Sequence, residues 1–235
     1  MIGHGLLRAA AGTTKNTVFL LRSNTTHGSQ VFVDLSKNAS AYSGLVGAIH
    51  STDQKKFGAS SIYFDGDDDY LEFPNHADFD FTSVDFTVDY WVYFPETSGQ
   101  YACPISQTSG VGYMPWKIVR QDTQDKIQIG NAADTATLIN DLFGTFTTGA
   151  WIHYAIVRDG ANIYTYKNGT RVTNTNIGAS TEILKTTNPL ALGVRSAGTR
   201  DRYCNCYLDE IRISRGIARW TGASFTLPTT FYAID

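Results

Sequence analysis

The alternation of apolar and other residues along the chain predicts β-strands almost throughout. The clearest strand pattern runs from Asp85 to Phe94 and places apolar side chains on one face, namely Phe86, Val88, Tyr90, Val92 and Phe94, with Thr87, Asp89, Trp91 and Tyr93 on the other. A second segment, Trp151–Arg158, is apolar on both faces, which is typical of a central strand between two layers. Further strands are predicted at 17–21, 30–34, 61–65, 70–73, 116–120, 125–130, 137–143, 163–167, 190–195 and 206–214.

Turn and helix signals complete this pattern. Asn168-Gly169 directly follows the predicted strand 163–167 and predicts a tight hairpin, because both residues accept a positive φ. Only Gly5–Ala11 and Arg215–Trp220 have a helical pattern, each for about two turns. We therefore predict an all-β fold, a two-sheet antiparallel β-sandwich of the jelly-roll type with almost no helix. Residues 1–16 are predicted to form an arm, and residues 17–235 a single domain.

Composition narrows the class of protein. Only 17% of the residues are charged, 13% are aromatic, and the net charge is −3. Such a chain lacks the basic surface that binds nucleic acids or anionic membranes, and no apolar run is long enough for a spanning helix. The N-terminal apolar stretch is too short for a signal peptide. The three cysteines form no disulfide framework, and Cys204 and Cys206 are interpreted as small apolar residues on one sheet face.

Four blocks, in order along the chain, resemble a known family. They are Lys55–Leu71, Phe86–Val92, Trp151–Arg158 followed by Tyr164–Gly169, and Tyr207–Ile213. These blocks resemble laminin-G-like domains of the concanavalin A-like lectin/glucanase superfamily, which implies the same β-sandwich. The ending, Ser214–Thr221 and then Phe225–Pro228, is similar to the version found in tailed-phage and prophage virion proteins. That resemblance implies a tail, fibre or capsid-decorating role, although a fold does not by itself fix a function.

Catalysis is not expected from the acidic residues. The superfamily that this chain resembles includes retaining glucanases, which need two carboxyl groups about 5–5.5 Å apart. In this chain the four glutamates are isolated from one another in the sequence. The nearest imitation is Asp85 and Asp89, which a strand holds about 13 Å apart. Asp85 is interpreted as a strand-start residue and Asp89 as a solvated one, while His153 is interpreted as a hydrogen-bonded structural residue. The chain is therefore predicted not to be an enzyme.

A run of aspartates is the candidate metal site. Asp65, Asp67, Asp68 and Asp69 fall within five positions, and alternate carboxylates on an extended segment lie about 7 Å apart. Their mutual repulsion favours a hard cation, which prefers oxygen ligands. Many laminin-G-like relatives hold a structural calcium, so the resemblance implies Ca²⁺ as a cofactor, with Asp65, Asp69 and Asp209 among its ligands. The alternative is a solvated acidic turn without a metal.

Two further segments are candidate binding regions. Glycan binding uses aromatic rings on loops. Tyr113 and Trp116 follow a Gly/Ser-rich stretch and form the candidate site, to which Tyr101 could contribute a further ring. The alternative for such rings is a core position. In the arm, a short apolar stretch around Leu6, Leu7 and Arg8 could dock on another protein. The alternative for the arm is a frayed terminus.

Together these observations favour a non-catalytic phage virion structural protein, either a capsid decoration or a tail or fibre component, with optional weak glycan adhesion. Its expected partners are other virion proteins, further copies of itself in a homo-oligomer, and a cell-surface glycan, but neither nucleic acid nor membrane. It would be made in the host cytoplasm and reside in the virion. The alternative is a free-standing carbohydrate-binding lectin with a structural calcium.

Overall fold

The computed structural model describes residues 16–95, 101–108, 115–121, 124–131, 137–197 and 199–234, and these residues confirm the all-β prediction. They contain a three-residue 3-10 helix, Ala77–Phe79. The strands in chain order are β1 (Thr17–Leu21), β2 (Gly44–Val46), β3 (Ile49–Ser51), β4 (Ser61–Asp65), β5 (Tyr70–Phe73), β6 (Phe86–Tyr93), β7 (Tyr101–Gln107), β8 (Trp116–Gln121), β9 (Gln124–Gly130), β10 (Thr137–Thr145), β11 (Trp151–Asp159), β12 (Asn162–Lys167), β13 (Thr170–Asn176), β14 (Leu190–Leu192), β15 (Arg195–Ala197), β16 (Thr199–Asp201) and β17 (Asn205–Arg215).

The strands form two antiparallel sheets that pack face to face. The eight-stranded sheet has the order β13-β12-β11-β6-β17-β4-β3, and β1 also pairs with β17. The seven-stranded sheet has the order β10-β9-β8-β7-β14-β5-β2, and β15 and β16 form a separate hairpin. Each sheet contributes its apolar face to one core, in which fully buried aliphatic and aromatic side chains each contribute about 1.5–3 kcal/mol. This arrangement is the predicted two-sheet sandwich.

The predicted strand faces are confirmed at the centre of the eight-stranded sheet. Val88, Tyr90 and Val92 of β6 lie in the core between the sheets, whereas Trp91 faces outward. β11 lies between β6 and β12 and is buried on both faces, as its sequence predicts. Cys204 and Cys206 are both fully buried in the core, as predicted for apolar residues on one face. The Asn168-Gly169 turn has the positive φ values that its hairpin requires, 50° and 76°.

Two predicted elements are wrong. Residues 30–34 form no strand, and Asp34 makes an isolated antiparallel bridge with Leu21 of β1. The predicted helix at 215–220 does not form, because β17 continues to Arg215 and the chain then crosses the sheet as bends and irregular backbone. We call residues 216–234 the tail. The other predicted helix, Gly5–Ala11, and all of the arm except Asn16 lie outside the described residues.

Candidate binding site

The tail covers the outer face of the eight-stranded sheet. Its first half packs on β11 and β12, where Trp220 and Phe225 lie against Val157 and Tyr166. The rings of Trp220 and Phe225 stack, with centroids 3.9 Å apart and planes within 8°. Tyr166 fixes this half by donating its hydroxyl to the carbonyl of Gly222 at 2.9 Å. Packing against an apolar sheet face, rather than helix formation, therefore positions the tail.

The second half of the tail is held by charged groups. Arg22 binds both carboxylate oxygens of Glu210 and donates a further hydrogen bond to the carbonyl of Tyr232, at 2.6 Å. The backbone N–H of Tyr232 donates to the second oxygen of Glu210 at 2.5 Å. Glu210 sits at a bulge in β17 with φ at 49°, a conformation that non-glycine residues rarely adopt. The bulge turns this carboxylate toward β1 and the tail.

A buried ion pair lies below the tail. Arg212 donates two hydrogen bonds to Asp89, at 2.9 and 3.0 Å, and Asp89 is fully buried. Burial alone would raise the pKa of Asp89, but the charge of Arg212 and hydrogen bonds from His153 and Arg212 lower it to about 2. The prediction that Asp89 is a solvated residue is therefore wrong, because the tail excludes water from this face.

His153 belongs to the same buried network. Its Nε2 lies 2.9 Å from the hydroxyl of Tyr232 and 3.5 Å from Asp89, and burial lowers the pKa of its imidazole. This geometry agrees with the predicted structural role. Asp85 instead accepts a hydrogen bond from the N–H of Gly160 at 2.8 Å, at the start of β6. Asp85 and Asp89 therefore hold separate partners, as fixed polar groups of the sheet, rather than facing one another as an acid and a nucleophile.

Between the tail and β17 lies a cavity of about 520 Å³, which we call the tail cavity. This volume falls in the range of small-molecule sites. It is lined by three aromatic rings, two guanidinium groups, one hydroxyl and four apolar residues, namely Trp220, Phe231, Tyr232, Arg212, Arg219, Thr230, Ile217, Ala218, Pro228 and Ala233. Arg212 lies 3.9 Å from the ring centroid of Tyr232 and 5.7 Å from that of Trp220. Tyr232 is buried under Arg212, so the partly exposed rings of Trp220 and Phe231 are the ones that can stack on the apolar face of a sugar while the polar groups bind its hydroxyls.

The predicted glycan residues lie away from this cavity. Trp116 is only 3% exposed, packs in the core near Phe81, and donates its indole N–H to Gln107 at 3.3 Å. Its predicted stacking on a sugar is therefore wrong, because neither face of the ring is accessible. Tyr101 is 43% exposed, with Arg202 5.3 Å from its ring centroid, and remains a candidate. Tyr113, like Leu6, Leu7 and Arg8, lies outside the described residues.

The structure regroups the predicted metal ligands. Carboxylate oxygens of Asp65, Asp68 and Asp69 lie within 4.8 Å of one another. Asp67 is outside this group, and its N–H donates to Asp65 at 2.8 Å in the turn. Asp209 is also elsewhere, because it is fully buried on β17 and accepts hydrogen bonds from the N–H groups of Phe57 and Glu210. The predicted set that includes Asp67 and Asp209 is thus corrected to three neighbouring aspartates, which we call the acidic turn.

Electrostatics in the acidic turn are unfavourable without a cation. Burial and the negative charges of Asp65, Asp68 and Asp67 raise the pKa of Asp69 to about 6, although a hydrogen bond from the N–H of Asp65 acts in the opposite direction. Three carboxylates with oxygens this close suit a hard divalent ion such as Ca²⁺. The donor set therefore fits calcium.

Sequence reasoning missed the residues of the tail cavity. Four aromatic residues, Trp220, Phe225, Phe231 and Tyr232, lie in the last sixteen positions, and this density was the available signal. Two of the three rings that line the cavity, Phe231 and Tyr232, lie only a few residues after Pro228, where the segment that resembles virion proteins ends. None of the described residues forms a helix with the length and apolar character that crossing a membrane needs.

Comparison with known proteins adds a family and several similar folds. A family model described as the concanavalin A-like lectin/glucanases superfamily, in its Laminin_G_3 form, matches residues 65–218. No curated protein matches the chain. The binding domain of Paraclostridial Mosquitocidal Protein 1 is 17% identical with a TM-score of 0.67, and the match covers 85% of this chain and 49% of that one.

Two botulinum neurotoxin structures are also similar. The serotype G binding domain is 13% identical with a TM-score of 0.65, covering 88% of this chain and 49% of that one. The serotype D ligand binding domain, in complex with N-acetylneuraminic acid, is 11% identical with a TM-score of 0.62, covering 85% of this chain and 47% of that one. This chain spans about half the length of these three structures. At such identities the likeness shows a shared fold, and the proteins that share it here are binding domains.

Proposed function

The chain belongs to the concanavalin A-like lectin/glucanases superfamily, and from this premise we propose that it is a non-catalytic glycan-binding domain of a phage virion. The single observation that carries glycan binding is the tail cavity, about 520 Å³ in volume and lined by Trp220, Phe231 and Tyr232 beside two arginines. A binding role agrees with the kind of protein that shares this fold.

The lining of the cavity selects the ligand class. Arg212 is neutralised by Asp89, so its guanidinium is fixed in place and its charge is already balanced. The lining contains no carboxylate, and aromatic and apolar residues make up most of it. A neutral or weakly acidic sugar, whose ring has one apolar face and several hydroxyls, matches this mixture better than a phosphate or a peptide. One similar structure holds N-acetylneuraminic acid, which supports sugars as the class to test.

The test is a glycan array followed by calorimetric titration of the best hit. Trp220→Ala removes a ring from the cavity, and Ala233→Trp fills the cavity without removing an existing contact. We expect at least tenfold weaker binding for both variants, or about 1.4 kcal/mol. Tyr101→Ala is the matched control, because it removes an exposed ring on β7 of the seven-stranded sheet, whereas the tail cavity lies on β17 of the eight-stranded sheet. Full binding by Ala233→Trp, or loss only in Tyr101→Ala, would contradict the tail cavity as the site.

The virion role is supported by the resemblance of the closing segment, Ser214–Thr221 and Phe225–Pro228, to phage and prophage virion proteins. Those residues supply five of the ten that line the tail cavity, namely Ile217, Ala218, Arg219, Trp220 and Pro228. Mass spectrometry of gradient-purified particles tests this role. We expect the chain at a fixed copy number per particle, and its absence from intact particles would contradict the proposal.

A second candidate function is a free-standing lectin with a structural calcium, and the acidic turn favours it. Asp65, Asp68 and Asp69 would hold the ion through their carboxylate oxygens. Calcium would neutralise their repulsion and stabilise the turn between β4 and β5. Both candidates predict glycan binding, and they differ in whether the chain is found in purified particles.

A further inference from the structure

Lys117 is a buried lysine without an anionic partner. Its neighbours on β8, Trp116 and Ile118, lie in the core, so Lys117 lies on the outer face of the seven-stranded sheet. The residue is only 4% exposed, and its ammonium makes no hydrogen bond or salt bridge within the described part of the chain. Lysine is almost never buried unpaired, because an uncompensated charge is costly to remove from water. Lys117 therefore keeps a charge that no described residue balances directly.

Arg202 is a second cation without a carboxylate partner, and it lies near Lys117. It directly follows β16 and has φ at 57°, a left-handed conformation that non-glycine residues rarely adopt. Its carbonyl accepts a hydrogen bond from the N–H of Cys103 on β7 at 2.9 Å, which fixes Arg202 against the sheet. Among the described residues its guanidinium forms no salt bridge, and it lies 5.3 Å from the ring centroid of Tyr101. This contact uses the planar face of the guanidinium and leaves N–H donors at its edge.

The two cations lie close together around a neutral thiol. Burial lowers the pKa of Lys117 to about 8, and the positive charges of Arg202 and Arg195 act in the same direction. Burial also raises the pKa of the Cys103 thiol to about 12, although Lys117 and Arg202 both act to lower it. The thiol is therefore uncharged, and it donates to the carbonyl of Ile118 at 3.1 Å. Cys103 thus supplies no negative charge to either cation.

The neighbouring carboxylates already have other partners. Asp201, the carboxylate that acts favourably on Lys117, is bound through both of its oxygens by Arg195. Glu72 is bound in the same way by Arg200, at 3.1 and 2.8 Å. The chain has a net charge of −3, so acidic residues are not scarce in it. The excess of positive charge at Lys117 and Arg202 is therefore a local property of this face.

We propose that Lys117 and Arg202 form an anion-binding site on the seven-stranded sheet, which takes one carboxylate or similar small oxyanion group of a ligand. An ammonium supplies a point charge and a guanidinium supplies paired N–H donors, and both bind oxyanions well. Because Lys117 is so little exposed, only a small group that projects from the ligand can reach it. The tail cavity lies on the other sheet, so this site does not depend on the function proposed for that cavity.

Calorimetric titration of the full chain at low salt tests the site, because salt screens such a charge interaction. The probes are D-galacturonate, its uncharged counterpart D-galactose, and inorganic phosphate. We expect galacturonate to bind at least tenfold more tightly than galactose. Equal binding of phosphate would show that a free oxyanion is sufficient, whereas weaker binding of phosphate would identify a carboxylated sugar as the ligand class. Binding of neither anion would overturn the proposal.

Variants place the binding at these two residues. Lys117→Met and Arg202→Gln each remove one charge while keeping a long side chain, and each should weaken galacturonate binding at least tenfold. Lys55→Met is the matched control, because Lys55 is exposed on the loop before β4 of the other sheet. Lys55→Met and Trp220→Ala should both bind galacturonate like the wild type. Full binding by Lys117→Met, equal weakening in Lys55→Met, or a loss in Trp220→Ala, which would move the anion to the tail cavity, would each contradict the proposal.

Thermal unfolding separates a binding role of Lys117 from a structural one. Without added anion, Lys117→Met should have a Tm at or above that of the wild type, because it removes a buried charge that has no partner. Saturating galacturonate should raise the Tm of the wild type but not that of Lys117→Met. A lower Tm for Lys117→Met together with unchanged galacturonate binding would make Lys117 a structural residue and would overturn the proposal.

Discussion

The covered face of the eight-stranded sheet and the acidic turn both hold carboxylates, but they treat charge in opposite ways. Below the tail, Asp89 pairs with Arg212 and Glu210 pairs with Arg22, so each of these buried acids has a cation. In the acidic turn, Asp65, Asp68 and Asp69 face one another. Solvent screens the exposed Asp65 and Asp68, whereas Asp69 is buried beside them without a cation, and its raised pKa reflects that burial.

Asp209 on the covered face is an exception, because it is a buried acid without a salt bridge. It is fully buried beside Glu210 and is stabilised by backbone N–H groups rather than by a salt bridge. Burial raises the pKa of Asp209 to about 7, and the charge of Glu210 raises it further against the hydrogen bonds from Phe57, Glu210 and Ser23. Lys56 is the charged group that acts favourably on it, from above the ring of Trp91.

The largest expected effect comes from breaking the Asp89–Arg212 pair. Arg212→Leu leaves Asp89 buried without its cation, and we expect the free energy of unfolding to fall by about 3–5 kcal/mol in urea denaturation. The double variant Asp89→Leu/Arg212→Leu removes both charges and is expected to recover most of that loss. The matched control is Arg195→Leu, whose partner Asp201 has a 43% exposed side chain, with an expected cost of about 1 kcal/mol or less. Equal costs for the two single variants would remove the distinction between covered and exposed charge.

The next effect depends on pH and tests the strained position. The folded-state pKa of Asp209 lies above its ordinary value, so the folded protein binds this proton more tightly than the unfolded chain does. Its contribution to stability is full below about pH 4 and is lost as the pH rises to about 7. As the pH rises from about 4 to about 7, the unfolding free energy of the wild type should therefore fall relative to that of Asp209→Asn, by at most about 1.4 kcal/mol per pH unit.

The same measurement separates three acids. The pKa of Asp69 is also raised, to about 6, so Asp69→Asn should show the same sign over a narrower window. The pKa of Asp89 is lowered to about 2, so its contribution is present above about pH 4 and is lost as the pH falls toward 2. A pH-independent difference between Asp209→Asn and the wild type from pH 4 to 7 would refute the assignment.

The smallest expected effect is stabilisation by a cation bound at the acidic turn, which would give these carboxylates a positive partner like those on the covered face. If calcium binds the acidic turn, saturating it at about 100 times its Kd stabilises the fold by about 2.7 kcal/mol, seen as a higher Tm. Asp68→Asn should abolish the shift, whereas Asp67→Asn should keep it, because Asp67 lies outside the group. A Tm that responds neither to calcium nor to a chelator would leave the acidic turn as a solvated turn.

The strands were predictable because each carries its own period-two signal. The outward and inward faces of β6, the central position of β11 and the hairpin at Asn168-Gly169 all follow from local sequence. Residues 30–34 show the limit of that signal, because the alternation predicts an extended backbone but not whether a neighbouring strand exists. Trp116 failed for a similar reason, since a Gly/Ser-rich stretch before a ring does not reveal that the ring faces the core.

The covered face could not be read from sequence. Asp89 and Trp91 share the outer face of β6, and a polar residue in that pattern predicts solvent. That face is buried because the tail covers it, and the path of the tail is fixed by Tyr166, Trp220 and the bulge at Glu210. The covered face is therefore a second buried region that is partly polar. The family match covers residues 65–218 and therefore ends before most of the tail, which includes Phe231 and Tyr232 of the cavity.

The salt bridge between Arg22 and Glu210 has a consequence for how the chain acquires its structure. It joins positions 188 residues apart, and Arg22 also holds the carbonyl of Tyr232, 210 residues away. β1 pairs with β17, so this ladder forms only after β17 has been synthesised. Closing so long a loop carries a high entropic cost, and topologies dominated by such distant pairings fold in about milliseconds to seconds. During translation, the backbone of β1 therefore remains without its ladder partner until β17 has emerged, whereas Phe19 can already contact Phe73 and Phe79.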